Sequence, residues 1–229
     1  MKQTLSWLIY DKSLYEKKWK DNKGYALVIL NVVRIINLSS PMNSTELHLL
    51  DQQHFKLETS KISRIFVYVG NNKYFSCTFP FHLVSKGDKY CAQFEDIEIT
   101  DKLLFEAISL LNDTVHDSFY NRYRDADEET VYSEEAYIIT EKLLTTEPCY
   151  VRYDHDKNHA SYHKHPEFHL DINMSKMASF KIGLIEPLDK ANFEGLFEKE
   201  KDCYYCCKPE KVEKKMNHIL KKKKHKRKF

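Results

Sequence analysis

Five of the eleven histidines in this 229-residue chain stand at positions 155, 159, 163, 165 and 169. Imidazole titrates near neutrality, so histidines gathered this way suggest proton transfer or metal binding. The block runs Cys149-Tyr-Val-Arg-Tyr-Asp154, a polar gap, then His165-Pro-Glu-Phe-His-Leu-Asp-Ile-Asn173. Side chains alternate between the two faces of a strand. Val151 and Tyr153 then share one face of a first strand, and Phe168, Leu170 and Ile172 one face of a second. The opposite faces carry Arg152 with Asp154, and His169 with Asp171 and Asn173. Pro166 has no N–H for a ladder, which starts the second strand after it. Pairing the two as a hairpin brings these groups together beside a loop holding His155, His159, His163 and His165.

Three readings of that polar face stay open. In the first it cleaves RNA without metal: Arg152 holds a phosphate, His165 and His169 exchange protons with the 2′-hydroxyl and the leaving oxygen, and Asp154 or Asp171 orients them. In the second, His169 and Asp171 ligate a metal with His165 approaching from the loop, although no HExxH-type spacing fixes such a set. In the third, the face is the solvent side of an edge hairpin, where Arg152–Asp154 and His169–Asp171 are weak surface contacts.

The cysteines divide into two groups. Cys77, Cys91 and Cys149 sit singly in apolar or strand-like runs and are expected as small core residues, since a cytosolic chain is no setting for a disulfide framework. Cys203, Cys206 and Cys207 differ, because Cys203-x-x-Cys206 has metal-ligand spacing. Zinc is the cofactor this suggests, with Cys203, Cys206 and His218 as ligands. His225 is a poor fourth ligand, since seven residues of helix rise roughly 10 Å. Asn217-His218-Ile219-Leu220 behind the cysteines faintly resembles the catalytic half of a His-Asn-His nuclease, without the remaining half of that motif.

The net charge of +2 conceals an asymmetry. Residues 211–229 hold ten Lys or Arg and one acid, which leaves residues 1–210 at −7. A body of that sign repels nucleic acid, whereas Lys221, Lys222, Lys223, Lys224, Lys226, Arg227 and Lys228 attract it. The same run also reads as a solvated end that aids solubility.

The elements that must position these groups follow from periodicity. Leu5, Leu8, Ile9, Leu14 and Trp19 among lysines suggest an amphipathic helix over 3–20. The run 25–37, polar only at Asn31, Arg34 and Asn37, suggests a buried helix. From Ile62 the pattern turns to strands: Ile65, Val67 and Val69, a turn at Asn71-Asn72, then Phe75, Cys77, Phe79 and Phe81. A second turn at Lys86-Gly87-Asp88 leads into a third strand over Tyr90–Thr100, completing an antiparallel meander. Helices follow at Asp101–Asn112 and, behind a Ser133 cap, at Glu134–Leu144, with a polar loop over 113–129 between them. Phe180-Lys-Ile-Gly-Leu-Ile185 extends the second sheet, and Asp189–Phe197 forms a short covering helix.

The expected fold is therefore α+β: an antiparallel meander and a second small antiparallel hairpin or sheet, flanked by helices, with a basic tail. Residues 1–210 form one unit or two lobes, 1–145 and 146–210. No apolar run reaches eighteen residues, so no membrane span is expected. With no signal peptide legible in the first residues, a cytoplasmic protein is expected.

The order Arg152-x-Asp154, a polar gap, His165-Pro-x-x-His169-Leu, a strand, then Pro187-Leu188 before an aromatic helix resembles an uncharacterised bacterial family of unknown function. The likeness loosely covers most of 1–200. Its core, at Arg152, Tyr153, Asp154, His165 and His169, also resembles small bacterial toxins of toxin–antitoxin pairs, some of which act on RNA. The toxins show a closer His-x-His pair, which His163-x-His165 fits as well as His165 with His169. The resemblance implies a toxin-like or defence-associated protein that cleaves RNA, with a partner encoded nearby. The competing expectation is a non-catalytic interaction subunit of such a multi-protein system, docked through its aromatic meander or acidic loop.

Overall fold

The computed structural model describes residues 3–11, 15, 19–42, 53–60, 62–70, 72–113, 132–161, 164–176 and 179–198. The order of elements is β1 (Gln3–Leu8), α1 (Asn22–Leu38), β2 (His54–Thr59), β3 (Arg64–Tyr68), β4 (Lys73–Thr78), β5 (His82–Lys86), β6 (Lys89–Phe94), β7 (Ile97–Glu98), α2 (Asp101–Asp113), α3 (Glu134–Thr145), β8 (Val151–His155), β9 (Phe168–Ile172), β10 (Phe180–Leu184) and α4 (Lys190–Gly195). The strands form a seven-stranded sheet in the order β1-β2-β3-β4-β8-β9-β10 and a three-stranded sheet β5-β6-β7. The fold is mixed α+β with antiparallel meanders, as the patterning predicts. No helix among the described residues is long and apolar enough to cross a membrane. Contacts cluster into two units, Met1–Arg152 with Asp171–Phe180, and Tyr153–Leu170 with Lys181–Phe229.

In the first unit the core is aromatic and aliphatic, and α1 supplies much of it. Asp21 caps that helix, its carboxylate accepting from Gly24 N–H at 3.1 Å, and Tyr25, Ala26, Val28, Ile29, Leu30, Val32, Val33 and Ile36 are buried. Of the expected polar stripe, Arg34 is exposed but Asn31 is buried. Asn31 is tolerated there because its amide donates to Leu27 O at 2.7 Å. The Tyr25 hydroxyl reaches Thr78 O at 3.0 Å, tying the helix to β4. The helices over 101–113 and 134–145 stand where the periodicity places them, the second with Ser133 as its cap.

Several expectations are corrected. Residues 3–8 form a strand, not the start of a helix. Leu5 and Trp7 alternate onto one face opposite Leu57 and Phe55, and the Trp7 and Phe55 rings stack at 5.3 Å. That cross-strand aromatic pair outweighs the weak helical spacing of the same residues. The β2 strand, with Phe55 and Leu57 buried, adds a partner that the patterning reading omitted. β4 ends at Thr78, because Pro80 cannot continue a ladder. Phe79 and Phe81 on either side of it are buried in edge-to-face contact at 5.8 Å. The expected third strand over 90–100 breaks at Glu95, whose φ is +51°, into β6 and β7. It belongs to the other sheet, where it pairs with β5 instead of continuing the meander. Cys77 and Cys91 are buried, but Cys149 is exposed at φ +43°. Its carbonyl accepts from both terminal nitrogens of Arg64, at 3.2 and 3.3 Å, which holds the strained backbone in place.

The second unit is small. Tyr153, Leu170, Leu188 and Phe193 are its buried apolar side chains among the described residues, and the Tyr153 hydroxyl accepts from Leu188 N–H at 3.3 Å. α4 is capped by Asp189, whose carboxylate accepts from Asn192 N–H at 2.7 Å. A Cβ at Gly183 would meet Pro166 Cγ at 2.9 Å, so β10 passes the proline only because position 183 lacks a side chain.

The Asp21 carboxyl is held below the ordinary carboxylate range. Partial burial pulls it up, but the Lys176 ammonium at 2.9 Å and the Gly24 N–H outweigh that. A depressed carboxyl stabilises the fold above its unfolded value, near pH 4, and the gain is lost as pH falls through the lower folded value. Asp21→Ala is expected to cost about 1 kcal/mol at pH 7 in urea denaturation, and the difference from wild type should shrink as the pH drops below 4.

Candidate active site

The hairpin of β8 and β9 is fixed by a rung at each end. In the first unit Asn173 N–H donates to Tyr150 O at 2.9 Å; in the second, Asp156 N–H donates to Glu167 O at 2.9 Å. This register places Arg152 opposite Asp171, and Asp154 opposite His169.

Arg152 and Asp171 form a direct ion pair within the first unit. Arg152 is 2% exposed and the Asp171 side chain 13%. The guanidinium is thus neutralised inside the protein, and a phosphate would reach it only by displacing Asp171. The picture of a solvent face with weak surface contacts does not describe this pair.

His169 in the second unit has no exposed surface. Its Nδ1 donates to Pro166 O at 2.8 Å, because a carbonyl can only accept. That fixes the ring and directs Nε2 toward Asp154 Oδ2 at 3.7 Å, beyond direct hydrogen-bonding distance. His165 packs edge-on against this ring, with centroids 4.6 Å apart, and is partly exposed. Of the two histidines expected to exchange protons, only His165 presents surface to a substrate.

Two further carboxylates escaped the sequence reading. His155 Nε2 lies 3.1 Å from Glu167 Oε1, and His159 Nδ1 lies 3.0 Å from both Asp156 oxygens. Their signals were present in the spacing: Asp156-x-x-His159 is one turn, and Glu167 stands across the hairpin from Asp156, the neighbour of His155. The hydrogen bond from His159 holds the Asp156 carboxyl below its ordinary range, and His165 adds a weaker pull in the same direction. Two positions of this loop pair directly: Ser161 N–H donates to His165 O at 2.7 Å, and His165 N–H to Ser161 O at 3.0 Å. Lys157 and Lys164 on the same loop are exposed.

His163, the zinc candidates Cys203, Cys206 and His218, and the tail cations Lys221, Lys222, Lys223, Lys224, Lys226, Arg227 and Lys228 lie outside the described residues, as does the loop 114–131. Comparison with protein-family models, with curated proteins and with solved structures gave no match.

Removing one member of a buried ion pair strands the other charge, at a cost of about 3–5 kcal/mol, whereas replacing both with apolar residues is often nearly neutral. Asp171→Ala is therefore expected to destabilise the protein by that amount in urea denaturation. Arg152→Met/Asp171→Leu together should recover most of the loss.

Proposed function

We propose that the chain acts on RNA, cutting it by proton transfer at the histidine loop of the second unit. The observation that carries this reading is an exposed histidine, His159, held by the Asp156 carboxylate at 3.0 Å on a loop whose ends pair through Ser161 and His165, with the His165 ring partly exposed beside it. His165 takes the proton of a 2′-hydroxyl, whose oxygen attacks the adjacent phosphorus. His159, its Nδ1 held by Asp156, gives a proton to the departing 5′-oxygen and leaves a cyclic phosphate. Lys157 and Lys164 meet the phosphate charge in place of the buried Arg152. His169 and Asp154 act behind His165, setting its packing and local field, and the basic tail supplies salt-sensitive affinity for the strand.

Labelled single-stranded RNA, incubated with the purified protein in EDTA, should be cut, and His165→Ala should lower the rate about 100-fold or more. His159→Ala should do the same with the fold intact by circular dichroism. Wild-type cutting in both variants would overturn the reading. Cutting abolished by EDTA would turn these histidines into metal ligands.

A second reading is favoured by β10. It ends the order of the seven-stranded sheet, and Phe180 at 54%, Ile182 at 40% and the adjoining Ile185 at 77% exposure stand open, with Leu184 half-buried. An apolar edge strand of this kind suits addition of a partner's strand, as in an interaction subunit of a multi-protein system.

A further inference from the structure

A cavity of about 290 Å³ lies in the first unit, beside the second half of α1. That is near the lower end of volumes for small-molecule sites, roughly 300–1,000 Å³. Ile35, Leu38 and the ring of Tyr10 give it a mainly apolar wall, and Leu38 and Tyr10 stay open to solvent at 62% and 79%. Its polar groups are few. Tyr15 is 2% exposed, and its hydroxyl makes no hydrogen bond, which is a costly state for a buried donor. Arg34 lines the same cavity, is exposed, and makes no ion pair or hydrogen bond with any described residue. Asp11, the one carboxylate among the described lining residues, already has an interaction of its own.

These groups select one chemistry. An apolar body fits the wall, a carboxylate matches the planar guanidinium, and a carboxylate oxygen also accepts from the orphaned phenol. We infer that this cavity binds a small apolar monocarboxylic acid, an alkyl or aryl carboxylate, with its acid group between Arg34 and the Tyr15 hydroxyl. The site is independent of the histidine loop and of any action on RNA. The larger, more open cleft at Asp96, Glu98, Glu106 and Glu135 offers no such match. It is acidic, with Glu106 occupied by Ser133 and Glu98 by Lys86.

Titration calorimetry of the full chain with octanoate, 1-octanol and octylamine tests this. Octanoate should bind in saturable, one-to-one fashion, more tightly than 1-octanol, with octylamine weakest. Arg34→Gln, at an exposed position, should weaken octanoate about tenfold while leaving 1-octanol unchanged. Tyr15→Phe should weaken octanoate several-fold and leave the thermal midpoint of the free protein at or above wild type. Absence of saturable octanoate binding overturns the proposal. So does octanoate affinity unchanged in Arg34→Gln, or an equal loss of octanoate and octanol in that variant, because charge would then not be what selects the ligand.

Discussion

A guanidinium shut away from water needs a counter-charge within reach, and the position directly across the hairpin from Arg152 can supply one. Asp171 occupies it. A slip of one residue in the pairing of β8 with β9 would carry every side chain to the opposite face, leaving a charge buried and unmatched. The register of the hairpin is therefore enforced by electrostatics as much as by apolar burial. The backbone around it conforms at some cost, with Cys149 and Asn173 both at positive φ. Asn tolerates that region; Cys149 is kept in it by the two hydrogen bonds from Arg64. Two buried or half-buried arginines thus hold the entry to the hairpin and its first rungs.

The chemistry of the second unit rests on a different arrangement. Three of its histidines each face a carboxylate: His155 toward Glu167, His159 toward Asp156 and His169 toward Asp154. Their accessibility grades from a sealed ring at His169 to an open one at His159. That gradient makes the loop, and not the strands, the place where imidazoles reach solvent. Gly183 contributes indirectly, since its bare Cα lets β10 lie against the proline whose carbonyl fixes His169.

Long apolar periods and local caps were legible in the sequence. The helix from Asn22 to Leu38 and the Ser133-capped helix stand out because their signals lie within a few residues of one another. Strand partners were less legible. Trp7 is consistent with either period until Phe55 is placed beside it, and that neighbour comes from nearly fifty residues along the chain. The break at Glu95 and the departure at Pro80 each depend on a single residue. The site was half legible: alternation grouped Arg152 with Asp154 and His169 with Asp171. What alternation could not give was burial. A polar face reads as a wet one unless the structure shows its charges neutralised from within, as Asp171 does for Arg152. Strand alternation does not register a one-turn Asp-to-His step, so the pairing of Asp156 with His159 lies outside what it can predict.

The adjacency of β4 to β8 in the large sheet has a consequence for how the chain is made. Strands β1 to β4 and the three longer helices leave the ribosome before β8 exists, and Arg152 emerges before Asp171. At about 5–20 residues per second, the growing chain spends several seconds with one side of β4 lacking its neighbour, and a shorter interval with the arginine ahead of its acid. An open strand edge is a template for any other extended chain nearby. The nascent protein is thus open to mispairing along β4 until β8 has been made.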